Sequence, residues 1–391
     1  MVSSRTNKKV FCVITSSRAE FGIMRNLLKE LKKDSSIKLK LVVTGSHLSN
    51  KHGYTIKEVI KSNLDICNKI SVISENDTPN DIAQSAAIVL KKLSITFSNL
   101  KPDLLIILGD RFEILISAFV ATLHKIPIAH IAGGEVTVGS YDNQFRHSIS
   151  KMSFLHFVSN EIYKKRLIQM GENPKKVFNF GNLSLDNLKK EVFASRRFLE
   201  KKFKIKFSKI NFLVTYHPET LSNKHSKLQF SEILKAISQF KKYNFIFTSA
   251  NSDECGDIIN DMIKKYVKKK NNAFYVKSFG QANYFSVLKN VCGVIGNSSS
   301  GIIEAPSFKI GTINIGDRQK GRIKCESTIS CKSNAKEIYF SINKILDKKY
   351  KKKLEKIRNP YLKKNTISNI KKVLSKFRLD QDLKKTFFEK K

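Results

Sequence analysis

No apolar run in the chain approaches the roughly 20 residues that a membrane span needs. The nearest, LLIILG at 104–109 and ILISAFVATL at 114–123, are interrupted by Asp110, Arg111 and Glu113. At the N-terminus, lysines are followed by only VFCVI before polar residues return, too short for the apolar region of a signal peptide. These absences point to a cytoplasmic protein with no membrane partner. Cysteine is sparse as well. The six, Cys12, Cys67, Cys255, Cys292, Cys325 and Cys331, form no CxxC and no Cys/His metal spacing. Buried, reduced thiols are the expectation, and no metal site is expected. Acidic residues are outnumbered: 33 Asp and Glu face 72 Lys and Arg, a formal charge of +39. Such a charge raises a nucleic-acid partner as an option. The excess is mostly lysine, spread through every surface-like segment, and no zinc finger, RRM signature or basic recognition helix accompanies it. No nucleic-acid partner is therefore expected. A strict GxGxxG and a GxxxxGK[ST] are both missing, which argues against a dinucleotide fingerprint and a Walker loop.

What is present is alternation. The chain has 391 residues, 41 % of them hydrophobic, enough for two cores. KKVFCVIT (8–15) reads as a buried strand and AEFGIMRNLLKELKK (19–33) as an amphipathic helix. Strands follow at 37–45, 104–109, IPIAHIAGG, LHFVS and 176–181, separated by helices at 80–98, 112–125, 143–153 and 161–171. Residues 186–209 mix charged and apolar side chains, and the domain boundary is placed there, at 190. The alternation restarts with strands INFLVTYHP, NFIFTSAN, AFYVKSF, VCGVIGN and IGTINIG, and ends in helical segments over roughly 334–378. Strands alternating with helices imply parallel sheets with right-handed crossovers. The fold class is α/β: two Rossmann-like, doubly wound domains, 1–190 and 191–391, expected to face each other across a cleft.

Open α/β sheets bind ligands outside the carboxyl ends of their strands. In this chain polar, small and charged residues recur at that place: Thr15–Arg18, Thr44–His47, Gly109–Arg111, Gly133–Glu135, Thr215–Glu219, Thr248–Asn251 and Gly296–Gly301. Arginine is scarce beside lysine, yet Arg18, Arg111, Arg146, Arg318 and Arg322 lie in or near these turns. Arginine makes bidentate contacts with phosphate. Asn297, Ser298, Ser299, Ser300 and Gly301 open a helix after a strand, where backbone N–H groups and hydroxyls would receive an anion, although a plain serine N-cap is the simpler alternative. Asp110 reads as an N-cap of the next helix, as a catalytic acid, or as both. His130 is a core histidine or a ligand contact. His217 directly follows an apolar strand and precedes proline, which favours function. Glu135, Asp142, Arg146 and His147 cluster within IAHIAGGEVTVGSYDNQFRHS (128–148).

The series SSRAEFGIM, VVTGSHLSNKHGYT, LGDRFEIL, HIAGGEVTVGSYDNQFRHSISKMSFLHFVSN, YHPET, GNSSSGIIEAPSF and GDRQKGRI runs in order from about residue 9 to about 330. It resembles the hydrolysing UDP-N-acetylglucosamine 2-epimerases of sialic and related nonulosonic acid biosynthesis. The resemblance implies the GT-B fold, a sugar nucleotide in the interdomain cleft, C-terminal helices that pack back on the first domain, and a homodimer. It implies no redox cofactor and no metal. It assigns catalysis to Asp110 and Asp142, and the diphosphate to Arg18 and Arg111. His217 falls near the leaving group, Ser298–Ser300 in the uridine-diphosphate loop, Glu304 at the ribose hydroxyls and Arg318 in the GDRQKGR segment. Many relatives carry an acid two residues after the strand histidine, where this chain has Ala132. The C2 base is therefore open among Asp110, Glu135 and Asp142. The same resemblance leaves open the sugar, with UDP-N,N′-diacetylbacillosamine or a GDP-linked analogue as alternatives; a non-hydrolysing 2-epimerase is a further alternative, against which the GGE and GDRQKGR segments argue.

Overall fold

The computed structural model describes residues 8–50, 53–72, 78–138, 140–189, 191–219, 226–250, 256–378 and 384–389. Asn251 and Cys255 lie outside the described residues. The chain divides into two compact units. The first comprises residues 1–135, 142–187 and 363–391, and the second residues 136–141 and 188–362.

The first unit is built on seven strands: β1 (Lys9–Thr15), β2 (Ile37–Thr44), β3 (Ile66–Ile70), β4 (Leu104–Leu108), β5 (Ile128–Ile131), β6 (Leu155–Val158) and β7 (Val177–Asn179). They pair in parallel in the order β3-β2-β1-β4-β5-β6-β7. β4 reads LLIIL with every residue buried, as a strand covered by helices on both faces must. Apolar layers fill both faces of the sheet, one around Phe11, Leu28 and Leu41, the other around Ile14, Leu93 and Ile107. The Thr366–Ser375 helix contributes Ile367, Ile370 and Leu374 to the first layer. Strand order reverses between β1 and β4, the position at which such sheets open a crevice for ligands.

The second unit repeats the plan with β8 (Asn211–Thr215), β9 (Asn244–Thr248), β10 (Ala273–Val276), β11 (Gly293–Gly296), β12 (Gly311–Ile315) and β13 (Thr328–Cys331), in the order β10-β9-β8-β11-β12-β13, all parallel. Its order reverses between β8 and β11. The expected α/β class, with two doubly wound parallel sheets of the GT-B type, is what forms.

Two strands escaped the sequence pattern, β3 and β13. Both are sheet edges, short and partly exposed, so their hydrophobic signal is diluted. The edge position also overturns one thiol expectation. Cys67, on β3, is exposed rather than buried, and Cys292 and Cys331 are only half-buried, whereas Cys12 in central β1 and Cys325 are buried. The cap reading of Asp110 is overturned too. The N-cap of the Phe112–Leu123 helix is Arg111, one residue later, and its side chain makes no capping bond.

Candidate active site

In the first unit Asp110 is separated from the end of β4 by Gly109, and its Oδ2 is ion-paired with Nη2 of Arg146, 36 residues on, in the Asp142–Met152 helix. Arg146 is 3 % exposed and also donates through Nη1 to the Glu135 carbonyl at 3.1 Å. Arg166 donates to the Gly134 carbonyl. Two arginines therefore pin the turn after β5. Breaking a buried ion pair leaves an uncompensated charge, so Arg146 fixes Asp110 and the Glu135 backbone at once. The Glu135 carboxyl is buried and accepts from Ser159 Oγ at 3.1 Å. Asp142 opens the helix and is half-buried, as is His147, whose pKa is lowered by burial, then by Arg146 and Arg166.

His130, wholly buried in β5, bonds the Gly109 carbonyl through Nε2 at 2.8 Å and Ser150 Oγ through Nδ1 at 3.1 Å. A carbonyl only accepts, so Nε2 carries the proton and Nδ1 accepts from Ser150. Burial lowers its pKa to about 3, so it is neutral. His130 is a core histidine that supports the turn bearing Asp110. Gly133 and Gly134 have a packing reason. A Cβ on Gly133 would lie 2.9 Å from Ser150 Oγ, and one on Gly134 2.6 Å from the Tyr163 carbonyl oxygen. Gly134 also has φ +74°, the left-handed region that glycine favours, and Ala132 adopts it at φ +67° despite its methyl group.

The arginines after β1 and β4 are held by acids. Arg18 Nε lies 2.7 Å from Glu58 Oε1. Arg111 Nε lies 3.2 Å from Oε2 of Glu113, an acid 1 % exposed. Beside them Glu20 receives the Ser16 N–H and hydroxyl, both at 2.9 Å to Oε2. Burial pushes its pKa up to about 7, against the pull of Arg111, with the Glu113 charge pushing the same way as burial. His47 joins Thr15 and Thr55, and burial lowers it to about 4. Glu20 and Glu113 were not singled out from sequence, and His47 was named only as the last residue of the Thr44–His47 strand end. Their signal was available, because each sits within three residues of an arginine or glycine in SSRAEFG, GDRFEIL or TGSHLS.

In the second unit the ends of β8, β11 and the turn after β12 are tied together. Asn297 accepts from the His217 N–H at 2.7 Å and donates to the His217 carbonyl at 2.8 Å. Both functions of that amide are committed to backbone. Arg318 Nη1 and Gln319 Nε2 donate to the Asn297 carbonyl at 3.3 and 2.8 Å. Glu219 accepts the N–H groups of Asp317 and Arg318 at 2.9 and 3.2 Å. His217 is buried, and its pKa is lowered by burial and then by Arg318, so its imidazole is neutral. Ser298 caps the Ser299–Ile303 helix through the Ser300 N–H. That helix is a single short piece, followed by a 3-10 turn Ala305–Phe308 rather than the continuous helix read from GIIEAPSFK. Gly301 is buried against Thr312, whose hydroxyl donates to its carbonyl at 2.5 Å, and half-buried Glu304 closes the helix. Residues 136–141 cluster with this unit, where the Val138 N–H donates to the Lys320 carbonyl at 3.2 Å. No group of three or more His, Cys, Asp or Glu able to hold a metal occurs among the described residues, and no described helix is long and apolar enough to cross a membrane.

A chain from Campylobacter jejuni named GDP/UDP-N,N′-diacetylbacillosamine 2-epimerase (hydrolyzing) is 41 % identical over 88 % of this chain and 89 % of its own length. The polysialic acid biosynthesis protein P7 of Escherichia coli is 41 % identical over 94 % of both. In fold, the UDP-GlcNAc 2-epimerase of Neisseria meningitidis, solved with UDP-GlcNAc, superposes with a TM-score of 0.79 at 19 % identity, over 94 % of this chain and 100 % of that one. A family profile described as UDP-N-acetylglucosamine 2-epimerase matches residues 29–375. Two doubly wound sheets with polar, arginine-bearing strand ends thus belong to an enzyme: the chain is a member of the UDP-N-acetylglucosamine 2-epimerase family.

Proposed function

We propose that the protein is a hydrolysing 2-epimerase that converts UDP-N-acetylglucosamine and water to N-acetylmannosamine and UDP. The observation that carries the reading is the Asp110–Arg146 pair with Asp142 at the head of the same helix. A sugar C2–H is a weak acid, so its removal needs a fixed carboxylate. One of these acids takes the C2 proton while the C1–O bond to UDP breaks and a C1=C2 bond forms, giving a 2-acetamidoglucal. Water then adds its oxygen to C1, and C2 is reprotonated from the opposite face by the other acid. The resemblance to the 2-epimerases assigns the proton work to Asp110 and Asp142, while Glu135, bonded to Ser159, keeps the turn in place.

Leaving UDP carries charge that cations and N–H groups stabilise. Arg18 and Arg111 serve the diphosphate from the first unit, exchanging Glu58 and Glu113 for phosphate oxygens. In the second unit Arg318, the Ser298–Ser300 loop and neutral His217 serve the nucleotide, with Glu304 on the ribose hydroxyls. A neutral imidazole donates a hydrogen bond to phosphate without acting as a cation. Asn297 acts through the His217 backbone.

A second reading keeps the chemistry and changes the sugar to UDP-N,N′-diacetylbacillosamine or its GDP-linked analogue. The Campylobacter relative's name favours it, and the Escherichia coli relative's name favours the sialic acid route. Parallel kcat/KM values for release of UDP, or of GDP from the GDP-linked sugar, decide between them. A higher value for UDP-N-acetylglucosamine supports the first reading, and release only from a bacillosamine nucleotide overturns it.

A further inference from the structure

The Asp142–Met152 helix carries Asp142 and Arg146 at its start. At its other end the carbonyls of Ser150, Lys151 and Ser153 surround one ammonium, that of Lys385, at 3.2, 2.5 and 2.8 Å. Lys385 comes from segment 384–389, more than 230 residues away. The same ammonium lies 2.6 Å from Glu172 Oε2. Glu172 is 1 % exposed and also receives Lys151 Nζ at 2.9 Å and His156 Nε2 at 3.0 Å. Behind Lys385, the Phe388 N–H donates to the Gly171 carbonyl at 2.9 Å. The Phe387 ring covers Gly171 so closely that a Cβ there would come within 2.3 Å of it.

A cation at a helix C-terminus complements the backbone dipole and satisfies carbonyls left without helical partners. The Lys385 side chain is 28 % exposed, so its geometry rather than its energy carries the argument. Four oxygens from a helix end and a buried acid converge on one lysine, in a chain whose other lysines mostly face water. From that helix end a path leads to the catalytic turn. Ser150 bonds His130, and His130 bonds the carbonyl of Gly109, the residue before Asp110.

We propose that Lys385 is a positioning residue: the 384–389 segment straps the C-terminal end of the Asp142–Met152 helix and holds Asp142 and Arg146 in register with Asp110. The proposal rests on the reading of Asp110 and Asp142 as the acid–base pair. Lys385 itself touches no reacting atom.

The test uses full-length Lys385→Met, Lys385→Arg and Phe387→Ala, with amide hydrogen exchange and steady-state UDP release. Lys385→Met is expected to speed exchange over residues 142–153 about ten-fold, leaving β4 and the second unit unchanged. It is expected to lower kcat about ten-fold with KM unaltered, since small misplacements of catalytic groups are costly. Lys385→Arg keeps most of both, and Phe387→Ala moves both in the direction of Lys385→Met by less. Unchanged exchange in Lys385→Met overturns the strap. A loss of kcat that Lys385→Arg does not relieve, or an equal rise in KM, overturns the positioning role. Should Lys385→Met not fold, Phe387→Ala decides on the same two readouts. Should the unaltered protein release UDP from no nucleotide sugar, the functional reading fails, while exchange over 142–153 still decides the strap.

Discussion

At the scale of single residues, the strand-end positions of the candidate groups were legible, because a parallel sheet places its ligand-facing residues at one end of each strand. Their partners were not. Nothing in the spacing of Asp110 and Arg146 announces an ion pair, and nothing in the spacing of Glu135 and Ser159 announces their hydrogen bond. Asp110→Asn is expected to lower kcat by roughly 10² to 10⁴ while keeping a hydrogen bond to Arg146, measured as UDP release. Buried Glu20 gives a pH prediction. Its folded pKa, about 7, exceeds its unfolded value near 4.5. Below pH 4.5 both states are protonated and nothing is lost. From pH 4.5 to 7 the unfolded chain ionises first, so the acid erodes stability. Glu20→Gln should therefore match the parent in urea titrations at pH 4 and exceed it by on the order of 2 to 3 kcal/mol at pH 8. Glu172 has the opposite sign. Burial alone would raise it, yet hydrogen bonds from His156, Lys385 and Lys151 hold it at about 2. Its contribution is present above pH 4.5 and lost as pH falls towards 2, and Glu172→Gln should flatten that acid limb.

At the scale of elements, long, central and strongly periodic segments were legible and edges were not. β4, five buried aliphatic residues, was plain, whereas β3 alternates half-buried and exposed positions and leaves no run to see. Helix caps failed by one residue at Arg111 because Asp110, the better capping side chain, is engaged by a residue distant in sequence. The Gly133-Gly134 break was legible as a turn, but its cause is tight packing against Ser150 and Tyr163. Gly134→Ala is expected to cost roughly 2 to 4 kcal/mol, from its positive φ and the clash with a backbone carbonyl. Thermal melting reads this, and a loss under 1 kcal/mol would contradict the packing account.

At the scale of the whole molecule, the two-sheet architecture followed from alternation alone, while the 384–389 segment, short and lysine-bearing, resembled any charged tail. The formal charge of +39 sets the remaining behaviour. Like charges repel in the compact state, and salt screens them over about 10 Å at 0.1 M. The melting temperature should therefore rise between roughly 0.02 and 0.2 M salt, over which the screening length falls about three-fold, and a fall would contradict self-repulsion. The central claim, elimination and hydration at C1–C2, is tested most directly by turnover of UDP-N-acetylglucosamine in deuterated water, with NMR of the sugar. The account predicts UDP and free N-acetylmannosamine carrying deuterium at C2. Free sugar that retains its C2 proton, or UDP-N-acetylmannosamine in place of free sugar, would contradict it.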